Sequence, residues 1–420
     1  MKNLKTVLSI LLITSSVLAF AQEPVALASA KAEDDKDKKK KSEASTTEAQ
    51  ASQQKKEEEE PSFTLSGSID TYFHSSFNTK NYSGEQFGLS PYGPSTSFAD
   101  LKGFSLGMVN LIASYSGEKA GFVGDVVFGP RGQAAVFGTT SGQAIINQAY
   151  AYYKFNDKVT LNLGQFNTFL GYEVISPAVN FHYSTSYLFS WGPFNHTGAR
   201  LDFAGENGFV AKLAIMNPTD IVEFNPVNTY TLGAQLGKTS DKGGIWFNFL
   251  YGDQDGTLDK DNITSNSFSA GKLFQGDITL GYDLSDKFYL GLNTSYQTVG
   301  TGQEVDNNGN IVDSQGDPSS FFGVALYPKI TISENFALGL RAEYFAIKNY
   351  HLPLFGLDSD GNGSVMEFTL SGNYKVGGLT FIPELRIDKT KENSFYKGFD
   401  SGNVNKTLLP TLNLAAVYKF

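Results

Sequence analysis

From Phe63 to Phe420 the chain is written in period two, and the links between its alternating runs themselves alternate between short and long. Together these two regularities leave few folds open. Phe336, Leu338, Leu340, Ala342 and Tyr344 share one face of a run, and Ala337, Gly339, Arg341 and Glu343 share the other. That is a β-strand with an apolar and a polar side. The pattern recurs at Phe209, Ala211, Leu213 and Ile215, at Val159, Leu161 and Leu163, and at Phe288, Leu290 and Leu292. Sixteen such runs can be traced: 62–77, 103–116, 120–130, 144–155, 158–170, 197–205, 208–217, 228–239, 244–253, 266–283, 287–299, 319–332, 335–350, 364–375, 379–390 and 404–420. Short turns sit at 117–119, 156–158, 205–208, 241–243, 286–287, 334–335 and 376–378, with polar loops of about ten to twenty-five residues between them. A soluble sandwich would also alternate, but it has no reason to keep every short link at one end. The predicted fold class is all-β: a closed antiparallel transmembrane β-barrel of about 16 strands, which places apolar faces on lipid and polar faces on a wet interior.

Composition agrees with that reading. Gly (43), Phe (34) and Tyr (21) outweigh Pro (14) and Met (4), a mixture suited to twisted strands, tight turns and aromatic girdles. Only 40% of the residues are hydrophobic, and mean hydropathy is -0.22. A helical membrane protein would score far higher. The absence of cysteine excludes disulfides, thiolate metal sites and cysteine nucleophiles. A net charge of -10 argues against a nucleic-acid partner, which would need a basic face.

Residues 1–21 read as a secretory signal peptide, with Lys2 and Lys5 at the start, an apolar core from Val7 to Phe20, and Ala19-Phe20-Ala21 as the cleavage site. Residues 22–61 carry 8 Lys against 11 Asp and Glu and almost no large apolar side chain, which predicts a disordered, charged periplasmic spacer. The barrel is expected over 62–420. In its last run Leu412, Leu414, Ala416, Tyr418 and Phe420 fall on one face, and a terminal aromatic there resembles the signal read by outer-membrane assembly machinery. Outer-membrane lipid and that machinery are the expected partners, and the bacterial outer membrane the expected location.

With both barrel ends in the periplasm, residues 171–197 form the third external loop. In sixteen-stranded porins the third loop is the one that folds into the lumen, which is an argument from resemblance. Its content supports the same placement: Tyr172, Phe181, Tyr183, Tyr187, Phe189, Trp191 and Phe194 would be poorly placed on a solvated tip. Candidate constriction residues are Glu173, His182, Tyr183, Tyr187, Trp191 and His196.

This segment resembles the β-barrel porin-2, OmpL-like family. The likeness rests on Gly171-Tyr172-Glu173, on Ser184 to Phe189, and above all on Gly192-Pro193-Phe194-Asn195-His196-Thr197-Gly198-Ala199-Arg200. It implies a porin-like barrel and names no solute. Homotrimers are usual among general porins, although no residue here marks a subunit interface.

Sixteen strands enclose an aqueous channel, so inward residues control passage. Asp70, Asp125, Arg200, Asp202, Lys212, Arg341, Glu343, Glu367, Glu384 and Arg386 fall on the polar face and are the candidate pore lining. Their mixed signs predict no strong ion selectivity, and the negative excess predicts weak cation preference at most. The expected function is diffusion of small hydrophilic solutes, with no chemistry and no cofactor. Two alternatives are a receptor or adhesin acting through the long loops and a hydrolase built from His182, His196, Glu173 and nearby serines. Asp358, Asp360 and Asn362 match the first half of a calcium loop, but Thr369 stands where calcium affinity relies on Glu. Asp253, Asp255, Asp259 and Asp261 form a second acidic loop. In both loops Asp, Asn and Gly also serve as ordinary turn formers.

Overall fold

The computed structural model describes residues 61–78, 98–136, 145–258, 268–350, 355–396 and 405–420. The expected signal peptide and all of the charged spacer except Pro61 lie outside them. In chain order the elements are β1 (Ser62–Ser76), β2 (Gly103–Ser116), β3 (Ala120–Phe128), α1 (Pro130–Ala135), β4 (Ile146–Asn156) and β5 (Val159–Asn167). Next come α2 (Tyr187–Trp191), β6 (Asn195–Ala204), β7 (Phe209–Met216), β8 (Thr231–Ser240), β9 (Gly243–Asp253) and β10 (Phe268–Ser269). They are followed by β11 (Lys272–Asp283), β12 (Phe288–Val299), β13 (Gln303–Val305), β14 (Ile311–Asp313) and β15 (Ser319–Ser333). The last are β16 (Phe336–Lys348), β17 (Gly363–Val376), β18 (Leu379–Thr390) and β19 (Leu408–Lys419).

Sixteen of these strands form one closed antiparallel ring, each paired with its neighbours in sequence, and β1 closes on β19. At the seam Ser68 pairs with Lys419 and Ser76 with Thr411. Closure satisfies every strand edge, which is why a barrel can sit in hydrocarbon where an open sheet cannot. The side chains divide as the alternation requires. Leu370, Leu385, Leu340 and Leu326 are exposed on the outer face, while their chain neighbours Thr369, Glu384, Arg341 and Ala325 are buried inside. Toward the short turns the outer face carries Phe63, Tyr115, Phe122, Tyr153, Tyr374, Phe381 and Tyr418, and toward the long loops Phe104, Phe128, Tyr251, Phe274, Phe322 and Tyr344. These are two aromatic girdles around an aliphatic belt.

Three features depart from the sequence expectation. The third strand ends at Phe128, because Gly129 (φ +90) turns the chain into α1 with Pro130 in its first turn. The tenth run does not start at 266: β10 is separate and pairs with β13, which pairs with β14, in a three-stranded sheet outside the ring. Finally, the aromatic segment between β5 and β6 contains one helical turn, α2, capped by Ser186, whose Oγ accepts from the Phe189 N–H.

Candidate functional site

Thr168 to Phe194 leave the ring between β5 and β6 and return to it at the same point, where the Thr168 N–H donates to the Phe194 carbonyl at 3.0 Å. In between, the segment lies against inward-facing side chains from nearly every part of the wall. Tyr187, Leu188 and Trp191 pack on Phe321, Phe345 and Val365 of β15, β16 and β17. Ile175, Phe189 and Phe194 pack on Met108 and Val127 of β2 and β3 and on α1. Phe169 and Leu170 meet Met216, Leu250 and Leu273 of β7, β9 and β11, and Tyr183 meets Tyr72, Ile382 and Val417. Trp191 stands edge-on to Tyr350 at 4.7 Å, and Tyr172 stacks on Tyr327 at 4.1 Å. Full burial of each large apolar side chain contributes about 1.5–3 kcal/mol, so this packing is a large part of what keeps the segment inside.

Polar groups on the wall fix its register. Cross-strand pairing sets Arg341, Thr369, Arg386 and Thr411 side by side on β16 to β19. One row over stand Glu343, Glu367 and Asp388, and on the other side Ser371, Glu384 and Asn413. A basic row thus runs between two acidic ones. Arg341 pairs with Glu367 at 2.9 Å and with Glu173 of the segment at 2.6 Å, and Arg386 pairs with Asp388 at 2.7 Å.

The backbone from 183 to 188 reads that charge pattern. Glu384 accepts the N–H groups of Tyr183 (2.8 Å) and Ser184 (3.1 Å). Glu173 accepts that of Ser186 (2.8 Å), and Glu343 those of Tyr187 and Leu188, both at 2.7 Å. The carbonyls of Tyr183, Ser184 and Thr185 accept from Arg131 (3.0 Å), Arg341 (2.6 Å) and Arg386 (2.6 Å). Hydrogen bonds to ionised groups are roughly twice as strong as neutral ones, and an extended segment without a strand partner needs such donors and acceptors to be buried at all. Side chains add to the attachment: Tyr183 donates to Asp70 at 2.5 Å, Tyr187 to Asp388 at 2.9 Å, and His182 Nδ1 lies 2.8 Å from Ser371 Oγ. Asp70 can also accept the Met108 N–H because Gly107 has no side chain; a Cβ there would lie 1.6 Å from the Asp70 carboxylate.

Elsewhere amides take the place of arginine. Asp125 accepts from Asn110, Asn147 and Gln148. Asp277 accepts from Asn248 (2.8 Å), Asn293 (2.7 Å) and the Gly171 N–H (3.0 Å), and so holds the start of the segment. Asp220, in the β7–β8 loop, holds its end by accepting from Phe194 and Asn195 at 2.7 and 2.8 Å. Burial raises the Asp220 carboxyl well above the usual range, and those two N–H groups pull it back in part.

All ten residues expected to line the pore face inward, in two different environments. Asp70, Asp125, Arg341, Glu343, Glu367, Glu384 and Arg386 are buried, all but Asp125 within the polar network behind the segment; Arg200, Asp202 and Lys212 are partly exposed. There Arg200 Nε lies 2.8 Å and Lys212 Nζ 3.6 Å from Asp202. Of the six constriction candidates, Glu173, His182, Tyr183, Tyr187 and Trp191 are buried in the segment, and His196 lies on β6 with Nε2 2.9 Å from Thr168 Oγ1. Arg131, Asp220, Asp277 and Asp388 belong to the same network and were not anticipated. Gln275, Asp277 and Thr279 alternate with Phe274, Gly276 and Ile278, so the period that exposed the other wall residues contained Asp277 too.

Hydrolytic chemistry would need a base facing a nucleophile. Here the Ser371 hydroxyl donates to Glu384 at 2.9 Å, so it accepts from His182 and keeps its own proton directed at the carboxylate. Glu173 is engaged by Arg341 and Ser186. In the first acidic loop the Asp358 carboxylate is held below the usual range chiefly by the Asn362 N–H that it accepts, then by Lys391 at 3.2 Å and the Asp360 N–H. Among the described residues no three metal-ligating side chains converge. In the second loop Asp253 accepts the N–H groups of Asp255 and Gly256, while Asp259 and Asp261 lie outside the described residues.

A closed sixteen-stranded ring with an apolar belt, a polar interior and a chain segment folded into it is the architecture of an outer-membrane porin. The chain belongs to the beta-barrel porin-2, OmpL-like family, whose model matches residues 62–420. Solved structures share the fold at low identity. The outer membrane channel DcaP of Acinetobacter baumannii is 14% identical with a TM-score of 0.50, covering 86% of this chain and 98% of that one. The anion-selective porin from Comamonas acidovorans is 10% identical with a TM-score of 0.51, covering 86% and 100%. A loop-deletion variant of the outer membrane protein OmpT of Vibrio cholerae is 9% identical with a TM-score of 0.52, covering 86% and 99%. Among curated protein sequences none matches.

Proposed function

We propose that this porin conducts small hydrophilic solutes passively across the outer membrane, without chemistry or cofactor, and that the segment at 171–197 is its constriction. The observation that carries the reading is the attachment of that segment: arginines and carboxylates from β16 and β18 grip its backbone across the barrel interior. A loop serving only as an external recognition surface would have no use for such anchors. In this reading the seven buried wall charges position the constriction, while Arg200, Asp202 and Lys212 face the solute. Residues 1–21 are removed on export, 22–61 form a spacer on the short-turn side, and the long loops face outward. Homotrimers are part of the proposal; one of the OmpT structures is described as a trimer form.

The test is the full chain reconstituted in a planar bilayer. Stepwise conductance is expected, and deletion of residues 176–190 should raise the unit step. A barrel that folds yet stays silent would refute the porin reading and favour a receptor acting through the long loops. Equal steps with and without the deletion would remove the constriction.

A further inference from the structure

We propose that the lumen between the in-folded segment and the short turns selects small anions, with Lys329, Lys212, Lys154 and Arg200 setting the preference. This rests on the diffusion reading above and reverses the weak cation preference expected from the negative excess among the ten candidate lining residues.

The reversal comes from where the carboxylates are. Seven inward acids, Asp70, Asp125, Asp277, Glu343, Glu367, Glu384 and Asp388, are at most 3% exposed. Each already accepts from arginine, amide, hydroxyl or backbone N–H donors. A permeating ion does not meet them. The inward groups left in contact with water lie on the short-turn side of the segment and are mostly cations. Lys154 is paired across strands with Thr160, Thr160 with Asp202, and Asp202 with Lys212, which makes one row over β4 to β7. Arg200 lies one step further in, over the Phe166 ring at 4.5 Å. Across the lumen Lys329 of β15 sits over Tyr289 at 4.5 Å and under Phe181 of the segment at 5.9 Å. No ion pair to Lys329 or Lys154 is present among the described residues. Lys375 and Lys419 continue the same inward faces to the rim. Against these six cations stand Asp202, already held by Arg200, and Asp283.

The turns at the mouth add Glu118, Asp157, Glu206, Asp241, Asp286 and Glu334 against Lys119, Lys158, Lys242 and Lys287. Those charges stand in bulk solvent, where salt screens them within about 8–10 Å. Charges inside a low-dielectric wall are screened less and focus their field along the path. The lumen charge therefore decides the preference.

The measurement is the reversal potential of the full chain in a planar bilayer under a tenfold KCl gradient. A chloride-to-potassium permeability ratio above one is expected. Lys329→Gln and Lys212→Gln should each lower that ratio by about twofold, the effect of one ammonium close to the path in a water-like dielectric. Lys348→Gln, on the outer face of β16, should leave it unchanged. Open channels with a ratio at or below one would overturn the anion preference and leave the diffusion reading intact. A ratio above one that neither lysine moves would overturn the assignment to these residues. A silent barrel would overturn both readings together.

Discussion

Replacing Arg341 with Met should release the in-folded segment while the ring around it persists. The guanidinium is fully buried. Its Nε donates to Glu367 at 2.9 Å, and Nη1 donates to Glu173 and to the Ser184 carbonyl, each at 2.6 Å. No other wall side chain among the described residues is ion-paired to Glu173. Methionine fills much of the volume but leaves a buried carboxylate on each side. Breaking a buried pair in this way costs about 3–5 kcal/mol, and Glu367 keeps part of its share through Arg386 at 3.7 Å. The loss therefore falls mainly on the segment, whose local opening should become about 100- to 1,000-fold more populated, at 1.4 kcal/mol per factor of ten. Native-state hydrogen exchange reads this directly at the amides of Ser184 and Ser186, with amides in the β17–β18 ladder as an internal standard. Adding Glu173→Gln should restore about half of the protection, because the stranded charge is then gone. If exchange at Ser184 in the single variant stays within threefold of the parent, or if the double variant opens further, the charge network is not what holds the segment.

Two more outcomes follow from other parts of the molecule. Leu370→Arg on the outer face of β17 should cost about 2–4 kcal/mol in urea unfolding from lipid vesicles; a change within experimental error would mean that this face does not meet hydrocarbon. Burial pushes the Asp255 carboxyl up to about 7, with the N–H of Ala270 opposing. A raised folded-state value means that its contribution is complete below the ordinary value of 3.8 and is lost as pH climbs through 7. Proteolysis of the 254–258 loop should accordingly be faster at pH 8 than at pH 5.5, and Asp255→Asn should abolish the difference.

Much of the fold could be read directly from the chain, because a barrel strand is a local pattern. Alternation located Phe336 to Tyr344 and its fifteen counterparts mostly within three or four residues, and the turn asymmetry ordered them. What failed was also local: Gly129-Pro130 is a strand stop followed by a helix start, and the tenth run hides a change of sheet, since Phe268 and Ser269 pair with Glu304 and Gln303 outside the ring. The attachment of the in-folded segment was only half legible. Period two named Arg341, Glu343, Glu367, Glu384 and Arg386 as inward, but not that Glu384 would hold Tyr183 from 201 positions away. Such pairings depend on how the segment lies across the ring, which no neighbouring residue encodes.

The hydrogen bond from Thr168 to Phe194 closes the neck of the segment on itself, directly above the Asn167–Asn195 pair that ends the β5–β6 ladder. The excursion is thus a loop with its own ends tied. Nothing in the alignment of β5 against β6 depends on what lies between Thr168 and Phe194. The lumen filling is therefore a replaceable cassette: a segment of different length or chemistry can be grafted onto the same two residues without shifting the register of the ring, provided that it brings groups to meet the arginines and carboxylates waiting on β16 to β18.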